Sequence, residues 1–108
     1  IRPSLYGAWM GIEAVRPRHD VPAAVYDVVG PVCESSDFLG KNRSLALAGG
    51  ELLAVCGAGA YSFSMSSNYN SRCRPPEVMV DGDTAFLVRA RETFEDLVRG
   101  EQMLPAER

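Results

Sequence analysis

Turn-forming residues interrupt this 108-residue chain so often that long helices have little room. Pro17, Pro22, Gly30-Pro31, Gly49-Gly50, Gly57, Gly59 and Asp81-Gly82 cut the middle of the sequence into short apolar runs. Residues 77–80 and 84–90 flank Asp81-Gly82-Asp83 and read as a hairpin, with Asp-Gly supplying positive φ. Residues 23–32 are rich in Val and Tyr and read as a strand, with Gly30-Pro31 marking a bulge or an edge. Residues 8–15 alternate imperfectly and also read as a strand. Residues 51–57 form a near-continuous apolar run, which predicts a buried strand with Cys56 in the core. Residues 16–22 read as a Pro-broken loop, and residues 34–50 as loop with at most a helical turn. Pro3-Ser4-Leu5-Tyr6 suits a short helical turn, with Arg2 and Tyr6 four residues apart on one face. Thr93-Phe94-Glu95-Asp96 resembles a capping box, and its helix should stop near Gly100. The expected class is mainly β: a single domain over residues 1–108, built as a β-sandwich or partly open Greek-key barrel with a short C-terminal helix.

Charge and cysteines narrow the function. A net charge of −3 with scattered basic residues argues against a nucleic-acid surface. No apolar run approaches the roughly 20 residues that span a bilayer. Cys33, Cys56 and Cys73 cannot all pair within one chain, and their spacing matches no zinc pattern. Free thiols in a reducing cytoplasm are the simplest reading. The start at Ile1-Arg2-Pro3, without an initiator Met, reads as part of something longer.

The segment Cys33-Glu34-Ser35-Ser36-Asp37-Phe38-Leu39-Gly40 follows Gly30-Pro31-Val32 at the end of an apolar strand. A thiol can move a proton, and a carboxylate can hold a cationic amine. Their adjacency in a loop points to a site that handles an amino acid. Each residue also has a plainer role. Cys33 could pack as a small hydrophobe, and Glu34 could be a solvated acid. Arg2 could be a surface arginine or a fork for a carboxylate. Tyr6 and Tyr61 could be core aromatics or donors to a bound anion. Residues 57–61 are glycine-rich but contain no phosphate-loop motif. Lys41 is the only lysine, sits in a polar turn, and is a poor Schiff-base candidate. His19 lies between Arg18 and Asp20 in a loop, where a surface role fits.

Four blocks carry a family resemblance: Arg2-Pro3-Ser4-Leu5-Tyr6-Gly7-Ala8, the segment from Gly30 to Gly40, Gly57-Ala58-Gly59-Ala60-Tyr61, and Met65-Ser66-Ser67-Asn68-Tyr69-Asn70. In order and separation they resemble the C-terminal domain of the diaminopimelate decarboxylases, which depend on pyridoxal phosphate. The resemblance implies a (β/α)8 barrel, absent from this sequence, that supplies the Schiff-base lysine. It also implies a homodimer with active sites at the subunit interface. The implied reaction converts meso-2,6-diaminopimelate to L-lysine and carbon dioxide, a step of lysine biosynthesis. Cys33 matches the family's proton donor. Glu34 matches the acid that binds the distal ammonium, and Arg2 and Tyr6 match groups on a substrate carboxylate. Tyr61 matches a tyrosine that reaches cofactor and substrate, and the Ser-Asn-Tyr-Asn block shapes the site. Cys33 and Glu34 would serve the partner's barrel, and Tyr61 its own. The domain alone is expected to be inactive.

Two alternatives accompany this expectation. Ornithine and arginine decarboxylases share the architecture but tend to carry Cys-Asp in the loop. Glu34 with Arg2 and Tyr6 suits a substrate with a second amino-acid head better than a diamine precursor. The other alternative is a noncatalytic dimerisation module.

Overall fold

A computed structural model describes residues 3–106 of the chain. Strands dominate, and each helix is a single turn, in the order α1 (Pro3–Tyr6), β1 (Ile12–Ala14), β2 (Ala24–Val29), β3 (Phe38–Leu45), β4 (Leu53–Val55), α2 (Gly59–Ser62), β5 (Glu77–Asp81), β6 (Thr84–Arg89) and α3 (Phe94–Leu97). The mainly β class and the short C-terminal helix match the sequence expectation. Among the described residues the strands pair two by two, all antiparallel: β1 with β4, β2 with β3, and β5 with β6. Two compact units emerge, one running to Met65 and one from Ser66 onward.

In the first unit, β1 and β4 set Ile12, Glu13 and Ala14 opposite Val55, Ala54 and Leu53. The ladder extends by one bond at each end, with Cys56 N–H donating to the Gly11 carbonyl at 2.8 Å and Val15 N–H to the Leu52 carbonyl at 3.0 Å. Residues 8–10, expected to be strand, precede the pairing. Residues 51–57 are not the buried strand that their composition suggests. Leu52 is 73% exposed and Cys56 is exposed, because β4 has a single paired neighbour. Cys56 faces Gly11, which has no side chain to cover it, so the expectation of a core cysteine is corrected.

Residues 38–45, expected to be loop, form the long strand β3. Its Gly, Lys, Asn, Arg and Ser positions have poor strand propensity. A bulge also breaks the alternation. Asn42 takes φ 53°, and its N–H donates to Asp27 Oδ1 at 2.9 Å. The strand forms because it pairs with the Val-rich β2, from Ala24 opposite Leu45 to Val29 opposite Phe38. β3 packs against both β1 and α1. Ile12, Leu45, Pro3 and Gly40, one or two from each of these elements, are the buried ones among the described residues. The loop of residues 16–22 is tied to the turn before β4. Arg18 donates to Asp20 Oδ2 at 2.6 Å and to Glu51 Oε1 at 3.0 Å, while Glu51 Oε2 accepts the Ala48 N–H at 2.7 Å. The hydrogen bond from Arg18 holds the Asp20 carboxyl below its usual range.

In the second unit, β5 and β6 form the expected hairpin, with Gly82 at φ 60° in the turn. Beyond it, Thr93 caps α3. Its N–H donates to Asp96 Oδ2 at 2.8 Å, and its Oγ1 accepts the Asp96 N–H at 3.4 Å, a reciprocal capping box. The helix closes at Leu97, and Gly100 takes φ 87° in the turn that follows. Glu92 organises the other side of this unit. Its Oε2 accepts the Arg74 N–H and the Asn68 side-chain amide, both at 2.7 Å, and its Oε1 accepts Arg74 Nη1 at 2.9 Å. Arg74 Nε donates to Ser66 Oγ at 2.8 Å and Nη1 to Asn68 Oδ1 at 3.0 Å. Asn68, within the block of residues 65–70, thus serves as a structural tie to Glu92. Next to it runs a 3₁₀ turn (Tyr69–Ser71), in which Asn70 and Ser71 adopt positive φ.

Large apolar side chains are exposed in both units, Trp9 at 77% in the first and Leu87 in the second among them.

Two outcomes follow. The backbone N–H of Arg74, and next its guanidinium, hold the Glu92 carboxyl below its usual range. A depressed carboxyl stabilises the folded form at neutral pH, and that contribution is lost as pH falls through the folded-state value. The Arg74 amide should therefore stay protected through the range in which an unperturbed glutamate takes up its proton, and lose that protection only at lower pH. Glu92→Gln should show no acid step, since its amide does not titrate. Thr93→Ala should loosen α3 by about 1 kcal/mol, measured by exchange at residues 94–98.

Candidate functional site

Cys33 and Glu34 lie in the loop between β2 and β3, and both are exposed. Neither is sealed in the hydrocarbon core, as a packing role for Cys33 would require. Backbone bonds fold the loop tightly. Glu34 N–H donates to the Val32 carbonyl at 2.9 Å, Asp37 N–H to the Glu34 carbonyl at 3.0 Å, and Phe38 N–H to the Ser36 carbonyl at 2.9 Å. At its base Gly30 N–H donates to the Asp37 carbonyl at 2.9 Å. The Asp37 carboxylate turns inward, and its Oδ2 accepts the Val32 N–H at 2.7 Å. The strand therefore ends at Val29, and Gly30-Pro31 opens the loop.

The loop is also tied to the first helix. Ser4 Oγ donates to the Ser36 carbonyl at 2.8 Å. Two residues on, in the same turn of α1, stands Tyr6, 68% exposed. The Ala8 N–H bond to the Pro3 carbonyl, 2.9 Å, closes that turn. Arg2, the fourth residue assigned to substrate by resemblance, lies outside the described residues.

Tyr6 borders an open groove of about 620 Å³, whose walls include Trp9, Met10, Cys56, Tyr61 and Met65. Tyr61 sits on α2, whose turn is held by Ser62 Oγ donating to the Ala58 carbonyl at 2.6 Å. The Met65 N–H bond to the Tyr61 carbonyl, 3.0 Å, sets Met65 one turn beyond Tyr61. Trp9 has the Arg43 guanidinium stacked on its ring at 4.3 Å, which fixes the indole at the groove's edge. The structure thus brings Tyr6 and Tyr61 to one groove. Cys33 and Glu34 are on a separate loop, linked to that groove through α1. Tyr6 and Tyr61 are both exposed, so neither is a core aromatic.

Sequence reasoning missed Asp37, Ser4 and most of the groove wall. Asp37 is the one with a local signature, an acid six residues after a Gly-Pro pair. Ser4 acts across 32 positions, which no spacing rule captures.

The groove is apolar, with two phenol groups at its margin, and suits the rim of a planar aromatic cofactor. The sole lysine does not belong to it. Lys41 is exposed on β3, with its Nζ 4.5 Å from the centre of the Phe38 ring. The described residues therefore fit contact with a pyridoxal group but provide no lysine to anchor it. Among the described residues, no three His, Cys, Asp or Glu side chains gather as a metal site. No described helix is long and apolar enough to cross a membrane.

Comparison with known proteins places these features. Residues 1–59 match the profile of the pyridoxal-dependent decarboxylase C-terminal sheet domain. Diaminopimelate decarboxylase of Pseudomonas fluorescens is 63% identical over 105 residues, covering 97% of this chain and 25% of the relative. That of Pseudomonas aeruginosa is 60% identical with the same coverage. The chain thus spans about a quarter of the length of the curated relatives it matches. Among solved structures, diaminopimelate decarboxylase from M. jannaschii superposes with a TM-score of 0.87 at 37% identity, covering 96% of this chain and 24% of that one. The Helicobacter pylori enzyme complexed with L-lysine gives a TM-score of 0.80 at 43% identity, covering 91% and 24%. With its first 59 residues inside that profile, more than half its length, the chain belongs to the C-terminal sheet domains of the pyridoxal-dependent decarboxylases.

Proposed function

We propose that this chain is the C-terminal sheet domain of a diaminopimelate decarboxylase, acting with a (β/α)8 barrel and a second subunit. The reaction is decarboxylation of meso-2,6-diaminopimelate to L-lysine and carbon dioxide in cytoplasmic lysine biosynthesis. The observation that carries the reading is the exposed Cys33-Glu34 pair, held on a tightly hydrogen-bonded loop. The names of the relatives and the L-lysine complex of the Helicobacter pylori enzyme support it.

Bound pyridoxal phosphate supplies the electron sink for the pair released as carbon dioxide leaves. The domain's own residues handle the returning proton and hold the substrate. Cys33 returns a proton to the substrate carbon: its S–H bond breaks, a C–H bond forms, and the thiolate later takes a proton from water. Glu34 accepts hydrogen bonds from the ammonium at the far end of the substrate. Arg2 and Tyr6, four residues apart in sequence, hold a substrate carboxylate. Tyr61 reaches cofactor and substrate along the groove, and its neighbours Trp9 and Met10 limit water there. The dimer brings Cys33 and Glu34 into the partner's barrel, while Tyr61 serves its own. The acid at position 34, together with the carboxylate clamp of Arg2 and Tyr6, suits a substrate with two amino-acid heads better than ornithine, which has a single carboxylate. Cys33, Cys56 and Cys73 are free thiols, in keeping with a reducing compartment.

In the full-length enzyme, Cys33→Ala should lower kcat by about 10²- to 10⁴-fold. Glu34→Gln should lower kcat/KM for meso-diaminopimelate by about 10- to 100-fold, the worth of a charge-assisted hydrogen bond. Carbon dioxide release assayed with meso-diaminopimelate and ornithine side by side should favour the former. A preference for ornithine, or a Cys33→Ala enzyme at wild-type rate, contradicts the reading. The isolated 108 residues, supplied with pyridoxal phosphate, should release no carbon dioxide.

A further inference from the structure

We propose that Asp37 is a positioning residue for Cys33 and Glu34, and that Gly30 must be glycine because the Asp37 carboxylate fills its side-chain space. The proposal rests on the functional reading above. Its argument is geometric. Asp37 grips the start of the loop twice: its carbonyl accepts the Gly30 N–H at 2.9 Å, and its Oδ2 accepts the Val32 N–H at 2.7 Å. Cys33 follows Val32 directly, so the second bond fixes the peptide that leads into the thiol-bearing residue. Asp37 N–H in turn donates to the Glu34 carbonyl at 3.0 Å. One residue thereby pins the chain on both sides of the Cys33-Glu34 pair.

The carboxylate has little freedom. A Cβ built on Gly30 would lie 2.3 Å from both Asp37 carboxylate oxygens and 2.5 Å from the carbon that joins them. No real side chain tolerates such contacts, and a short aspartate can relieve them only by swinging out and breaking its bond to Val32. Gly30 and Asp37 are thus one device seen from two ends. Ser4, bonded to the Ser36 carbonyl at 2.8 Å, joins the same device to the helix that carries Tyr6. The device works through shape and an acceptor oxygen in a fixed place. Asparagine reproduces both. Glutamate keeps the charge but is one methylene too long for the space above Gly30.

The test uses the full-length enzyme with meso-diaminopimelate. Asp37→Ala, Asp37→Glu and Gly30→Ala should each lower kcat on the order of a hundredfold through displacement of the loop. Asp37→Asn should stay within about threefold of wild type. Proton return should become slower in the damaged variants, so their solvent deuterium isotope effect on kcat should rise, while that of Asp37→Asn should not. The double variant Gly30→Ala/Asp37→Ala should be no worse than either single one, because both remove the same contact. Asp37→Asn failing together with Asp37→Ala overturns the proposal, as do additive effects of the two positions or a wild-type isotope effect in Asp37→Ala. Should Asp37→Ala not fold, the contrast between Asn and Glu in soluble enzyme decides alone. Cys33→Ala and Glu34→Gln run in parallel. If they cripple turnover and Asp37→Ala does not, the positioning role falls and the functional reading stands. If they leave turnover unchanged, both fall.

Discussion

The tightest constraint on this structure is the contact between the Asp37 carboxylate and the bare Cα of Gly30. With the hydrogen bonds from the Gly30 and Val32 N–H groups to Asp37, it closes the turn between β2 and β3. A loop of eight residues that carries a thiol and an acid would ordinarily sample many shapes, and ordering it costs conformational entropy. Here that cost is offset by a connected set of backbone bonds closed by a single side chain. The Cys33 thiol and the Glu34 carboxylate consequently stand exposed on a hydrogen-bonded turn. A site residue that must meet a substrate from outside its own unit needs both properties.

The same logic extends to the groove. Tyr6, Trp9 and Tyr61 are large, amphipathic and more than half exposed, on single-turn helices or just after one. Packed cores do not leave such residues uncovered, whereas contact surfaces do. The strand pairs hold these side chains in place with few buried residues of their own, Ile12 and Leu45 chief among the apolar ones. A domain of this kind gains order from backbone pairing and polar ties more than from a large hydrophobic centre. The Arg18–Glu51 bridge and the Arg74–Glu92–Asn68 network are the clearest of those ties.

How much of this was legible in the sequence depended on whether the signal was local. The hairpin at Asp81-Gly82 and the capping box at Thr93 were readable because their chemistry is complete within a few residues. The first helical turn was readable for the same reason. β3 was not, because its pairing partner supplies the propensity that Gly40, Lys41, Asn42 and Ser44 lack, and the Asn42 bulge erases the period. Cys56 misled in the opposite sense. Its apolar neighbours suggested a core, but burial depends on what lies across from β4, and that is a glycine. At the site, Cys33 and Glu34 stood out in the sequence by their adjacency, and both are exposed on one loop. Their support was not legible, since Ser4 and Gly30 act through contacts that only the fold creates.

The central claim is that one subunit lends Cys33 to a pocket whose Tyr61 belongs to the other. Mixing two inactive full-length variants, Cys33→Ala and Tyr61→Ala, under conditions of subunit exchange tests it most directly. In a mixed dimer one pocket inherits both lesions and the other inherits neither. Activity should therefore return to about a quarter of wild type in a random mixture of the two. No recovery on mixing, with exchange of subunits demonstrated, would contradict a shared pocket.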